Sequence, residues 1–196
     1  MARVWVVAEL EGDAVSTTTL ELLTAARGAA DPLEVVVFGA GAEGLAETVG
    51  IHGAGRLFAV GGDSIVGTPR SRAAAIAALA AEHAPDLILF PASYEGRDVA
   101  GRLQAMTGTA LMGNATGVLG PDRARTEILG GTLLVDVGLE GPTPRIVLVK
   151  PRSVEATTSG GGPAELEHVT PEVRAGLRDA TVVARHEEAH TGPSLD

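Results

Sequence analysis

Three short stretches of this chain bring together residue types that could do chemistry. Pro91 to Leu103 (Pro-Ala-Ser-Tyr-Glu-Gly-Arg-Asp-Val-Ala-Gly-Arg-Leu) follows an apolar strand pattern at Asp86 to Phe90 and opens a helix. In a parallel α/β sheet, the loop leaving such a strand is where ligands and partners meet the fold. Ser93, Gly96, Arg97, Asp98 and Arg102 are its candidates for contact with a partner or an anion. Gly96 frees the backbone for a tight turn, Asp98 suits the positive end of a helix, and the two arginines offer cations. Asp98 and Arg102 are also spaced as an ordinary i,i+4 helix pair. Val99, Leu103 and Met106 follow at helical spacing as the buried side.

The second stretch, Gly39-Ala40-Gly41-Ala42-Glu43-Gly44, is a literal G-x-G-x-x-G between strand and helix patterns, with Asp63 about where a ribose contact would stand. It follows the second strand pattern rather than the first, and Gly50, Gly53 and Gly55 make glycine common here. It reads as a glycine-permissive turn. The third, His186-Glu187-Glu188-Ala189-His190, matches the zinc-peptidase pattern H-E-x-x-H, which needs both histidines on one helix face and a third ligand elsewhere. Thr181 to Ala184 reads as a strand leading in and Gly192-Pro193 stops any helix, so a charged, solvated tail is the better reading. His52, His83 and His168 lack spaced ligands and read as solvated or capping groups. Ser16, Ser64, Ser71 and Ser93 lack a Gly-x-Ser-x-Gly setting. Asp136, in the apolar run Leu133 to Val137, is expected to face solvent or an interface. The residues assign no catalytic or metal-binding role.

The elements that must position these stretches are clear in the first half. Apolar runs at Val4 to Ala8, Leu33 to Phe38, Leu57 to Val60 and Leu87 to Phe90 each fit a strand buried on both faces, and each precedes a helical pattern. Thr18 with Glu21 predicts a capping box for the first helix, with Gly28 at its end. Thr68 followed by Pro69 predicts the start of the third, which runs to about His83. Four βα units make a doubly wound, mainly parallel sheet. After Thr107 the pattern changes to short pieces at Ala115 to Leu119, Thr126 to Leu129, Thr132 to Val137, Arg145 to Lys150, Glu165 to Val169 and Ala180 to His186. These are read as added antiparallel strands, with turns at Gly130-Gly131 and Gly141 to Pro144. Thr157 to Pro163, with three successive glycines, is expected to be a flexible loop.

Composition narrows the function classes. With 196 residues and 45% apolar content the chain can fill one core, and Ala, Val, Leu and Gly supply its volume because only three Phe, one Trp and one Tyr are present. A formal charge of -10, with Lys150 the only lysine, opposes a polyanion, and the scarcity of rings removes stacking platforms, so nucleic acid is not an expected partner. The absence of cysteine excludes disulfides, thiol catalysis and cysteine-bound metals. No apolar run reaches membrane-spanning length and no leader pattern opens the chain, which makes a cytoplasmic location without membrane insertion the expectation.

Four stretches in order carry a family resemblance: Val4 to Glu9, Thr19 to Arg27, Pro91 to Leu103, and Arg145 to Ser153 with its basic-Pro-basic element at Lys150-Pro151-Arg152. In these the chain resembles the N-terminal domain of the α subunit of electron transfer flavoproteins. The resemblance implies a Rossmann-like, adenine-nucleotide-hydrolase-like domain over residues 1–186. Residues 187–196 would be a linker toward a separate FAD-binding domain; the piece is either excised or a natural stand-alone relative, and the linker-like Thr191-Gly192-Pro193 favours excision. It further implies a heterodimer with a β subunit. The complete protein would carry one FAD in the α subunit, taking electrons from acyl-CoA or other flavin dehydrogenases and passing them to a quinone reductase or another acceptor. This domain would be the scaffold: an electron-carrier piece, not an enzyme, with no cofactor bound in the fragment. The related β-subunit domain holds AMP on a loop comparable to Ala92 to Asp98, a place usually empty in α subunits. Around Ile128 to Gly131 the residues are plainer than the family's usual basic and aromatic ones. The alternative is a small nucleotide-binding protein of the universal-stress-protein-like class, whose G-x-x-G followed by Gly and Ser or Thr is absent here.

Overall fold

The computed structural model describes residues 2–39, 42–61, 68–172, 183, 184 and 186, apart from the side chain of Glu43. Strand β1 (Ala2–Val7) leads through a two-residue hairpin, β2 (Leu10–Glu11) and β3 (Ala14–Val15), into helix α1 (Thr17–Ala26). Then follow β4 (Ala30–Phe38), a short 3₁₀ turn (Ala42–Gly44), α2 (Leu45–Ile51), β5 (Arg56–Val60), α3 (Pro69–His83), β6 (Leu87–Pro91) and α4 (Tyr94–Thr107). The remainder is strand: β7 (Leu111–Gly120), β8 (Arg123–Ile128), β9 (Leu133–Gly138), β10 (Arg145–Val149) and β11 (Glu165–Val169).

Nine of these strands form one sheet in the order β11-β5-β4-β1-β6-β10-β7-β8-β9. All neighbours are parallel except β7 with β8 and β8 with β9. The strand period of two explains why the central strands read as unbroken apolar runs. Val4, Val6, Leu33, Val35, Leu57, Leu87, Leu89 and Val147 pack on one face with α1 and α2. Trp5, Val7, Val36, Phe58, Ile88, Phe90, Ile146 and Leu148 pack on the other with α3 and α4. Both faces are buried, so polar alternation has no place.

The four βα units stand where the apolar runs put them. Thr68 caps α3 in a capping box with Ser71, and Pro69 takes the first helical position, as expected. For α1 the cap is Ser16, not Thr18: the extended backbone leaving β3 starts the helix at Thr17, and Ser16 Oγ accepts the Thr19 N–H at 3.2 Å. Glu21, freed from a capping role, accepts the Arg152 N–H at 2.8 Å.

Two expectations for the second half are corrected. β10 and β11 are parallel, not antiparallel. Arg145–Val149 inserts between β6 and β7 with its apolar side chains buried on both faces, which is the environment of a parallel strand. β11 runs parallel to β5 because residues 150–164 carry the chain back from one end of the sheet to the other. That crossing also pins the glycine-rich segment expected to be flexible. The Thr157 N–H donates to Thr24 Oγ1, the Ser159 N–H to the Ile51 carbonyl and the Ala164 N–H to the Ala46 carbonyl, so the segment straps α1 and α2. Gly50 admits this closeness, since a Cβ there would lie 2.2 Å from the Gly162 carbonyl oxygen. The strand expected over 180–186 lies largely outside the described residues.

Candidate functional site

From β1 the chain steps outward to β4 and β5, then returns through α3 to place β6 on the other side of β1. The carboxyl ends of β1 and β6 therefore flank the point where the winding reverses, the usual ligand position of an open α/β sheet. A crevice of about 570 Å³ lies there, lined by Glu9 and Leu10 after β1, Phe38 at the end of β4, Arg72 of α3, and Ser93, Tyr94 and Glu95 where α4 begins.

The start of α4 is built by sterics and capping. Ser93 is its N-cap, and Oγ accepts the Gly96 N–H at 2.9 Å. Gly96 lies inside the first turn of the helix rather than in a tight turn ahead of it. A Cβ at this position would come within 2.1 Å of the Pro91 carbonyl oxygen, so glycine is needed for the helix to leave β6 so steeply. Val99 and Leu103 are buried as expected, whereas Met106 in the last turn of α4 is 43% exposed.

The charged groups in the crevice satisfy one another. The Ser93 hydroxyl donates to Glu9 Oε1. Glu9 is held in turn by its backbone, whose N–H donates to Thr19 Oγ1 at 2.9 Å while its carbonyl accepts the Thr19 hydroxyl. A hydrogen-bonded line thus runs from the N-terminus of α1 to that of α4 through one carboxylate. Glu9 sits where the dipole of α4 favours an anion, so the protein supplies its own. On the other wall Arg72 lies over the Phe38 ring at 5.5 Å and pairs with Glu95. A serine beside a carboxylate is half of a nucleophilic arrangement, but the Ser93 oxygen is also engaged by the Gly96 N–H. This geometry is that of a helix cap, and among the described residues no histidine or lysine hydrogen-bonds the Ser93 hydroxyl.

The five candidates from the sequence are thus divided. Ser93 and Gly96 shape the crevice. Arg97 turns away from it toward β7 and donates from Nη2 to Asn114 Oδ1 at 3.2 Å. Asp98 and Arg102 pair with each other on the exposed side of α4 at 2.6 Å. Glu9, Arg72 and Glu95 line the crevice without having been singled out. The signal for Glu9 was topological: a polar residue directly after β1 must face the loop after β6 once β6 is the neighbour of β1.

The other motifs fall elsewhere. Residues 40, 41 and 63 of the glycine pattern and its ribose partner, and residues 187–190 of the H-E-x-x-H pattern, lie outside the described residues. Among the described residues no three His, Asp or Glu side chains converge as a metal centre would need. His52 is buried rather than solvated, with Nδ1 2.8 Å from the Thr48 carbonyl at the end of α2. His83 stacks at a tilt on Phe58 with ring centroids 4.8 Å apart. Asp136 faces solvent and takes two hydrogen bonds from Arg125, at 2.6 and 3.0 Å. No helix among the described residues is long and apolar enough to cross a membrane.

Comparison with known proteins adds the following. A family model described as "Electron transfer flavoprotein domain" matches residues 4–174. "Electron transfer flavoprotein subunit alpha" of Mycobacterium tuberculosis is 32% identical over 184 residues, covering 92% of this chain and 56% of that protein. The protein of the same name from Mycobacterium leprae is 30% identical over 187 residues, covering 93% and 57%. That of Syntrophomonas wolfei is 29% identical over 167 residues, covering 83% and 52%. The chain spans about half the length of the relatives it matches.

Proposed function

The chain belongs to the electron transfer flavoprotein family, and from that premise we propose that it serves as the N-terminal scaffold and dimerisation domain of an α subunit. Its task is to dock a β subunit and to position the part of the protein that carries the flavin. The complete protein shuttles electrons from flavin dehydrogenases to a quinone reductase or another acceptor. This domain supports that traffic without catalysing a reaction, and its partner is a protein rather than a nucleic acid or a bilayer.

The observation that carries this reading is the self-satisfied crevice at the winding reversal. FAD or a nucleotide placed there would need donors for its phosphates. The crevice instead presents the Glu9 and Glu95 carboxylates, and the cap of α4 and the Arg72 guanidinium are already engaged by them. Two anions where a pyrophosphate would sit do not fit either molecule. The same geometry counts against the universal-stress-protein-like alternative, which would need that crevice for a nucleotide.

Purification of the chain alone and together with a β subunit tests the proposal. The expected results are a colourless protein by itself, a 1:1 complex with the β subunit, and no uptake of AMP or ATP at micromolar concentration. Stoichiometric flavin or nucleotide on the isolated chain would overturn it.

A further inference from the structure

We draw no further inference here: the strongest candidate, the crevice between α4 and the β8–β9 turn lined by Arg97, Asn114, Thr116, Glu127 and Lys150, carries none, because its cations already meet Asn114 and Glu127 and nothing in the structure shows what would cover it.

Discussion

The two ends of the sheet are finished in opposite ways. At one end β11 presents Glu165, Leu166, Glu167, His168 and Val169, and Arg56 of β5 reaches both glutamates at 3.4 Å. Charges along an edge strand discourage another chain from adding to it, and the strap of residues 150–164 holds this edge in place. At the other end β9 presents Leu133 and Leu134 well exposed, with Asp136 as its single charge, neutralised by Arg125. One edge carries paired charges and the other leaves apolar side chains in solvent.

The largest expected effect comes from breaking the guarded end. Gly50→Ala places a methyl 2.2 Å from the Gly162 carbonyl oxygen, and backbone on both sides leaves nothing flexible to yield. The strap must lift from α2, at a cost of about 1–3 kcal/mol of overpacking. Urea denaturation measures the loss, and hydrogen exchange locates it: amides of β11 are expected to lose protection before those of β9. Equal loss at both ends would mean that the strap does not organise the β11 edge.

Making the guarded edge resemble the open one is the next test. Glu165→Leu with Glu167→Leu removes the two partners of Arg56 and lays an apolar stripe along β11. Concentration-dependent self-association is expected in sedimentation, where wild type shows less. If the variant stays as dispersed as wild type, charge is not what guards this edge.

How far these differences could be read beforehand depends on where the physical determinant lies. The four βα units were legible because a strand buried on both faces has to be an unbroken apolar run, and Thr68-Pro69 is a local signal for a local event. The direction of β10 and β11 was not legible. A five-residue strand carries no mark of its orientation, which is set by the chain that brings it there and by the neighbours it finds. The same limit applied to the crevice. Ser93 was visible as a loop residue after β6, but its partner Glu9 comes from the far side of the winding reversal, and Arg72 from a third element. Exposure of Leu129 and Leu134 was equally hidden, because an apolar residue in a strand is expected inside unless the sheet is known to outrun its helices.

Leu129 offers a smaller and sharper probe of the open edge. Its φ of 53°, followed by 68° at Gly130 and 88° at Gly131, puts a branched side chain in a left-handed turn that suits glycine. That conformation costs a non-glycine residue about 1–2 kcal/mol, against about 0.5–1 kcal/mol of added chain entropy when glycine replaces it. Leu129→Gly is thus expected to stabilise the isolated chain by about 0.5–1 kcal/mol, read from the urea midpoint. A stabilised variant would show that folding does not require the strain at this turn. A destabilised variant would mean that the leucine side chain holds the hairpin together.

The smallest expected effect lies in the cross-strand pair on β8 and β9. The hydrogen bonds from Arg125 hold the Asp136 carboxyl below its ordinary value of 3.8, against the opposing effect of desolvation, and the same contact raises the Arg125 guanidinium. A carboxyl whose folded-state value is depressed contributes stability that is fully present above its unfolded value and is lost as pH falls through the folded one. The pair therefore supports the hairpin at neutral pH, and its loss belongs to the acid range below the ordinary carboxylate value. Carbon-13 titration of the Asp136 carboxyl is expected to give a midpoint under 3.8, with amide protection in β8 and β9 falling over the same interval while β10, buried between β6 and β7, keeps its own. Asp136→Asn is expected to abolish that acid step and to leave β10 unchanged. A midpoint at or above the ordinary value would show that the two side chains part in solution, and the open edge would then rest on apolar pairing alone.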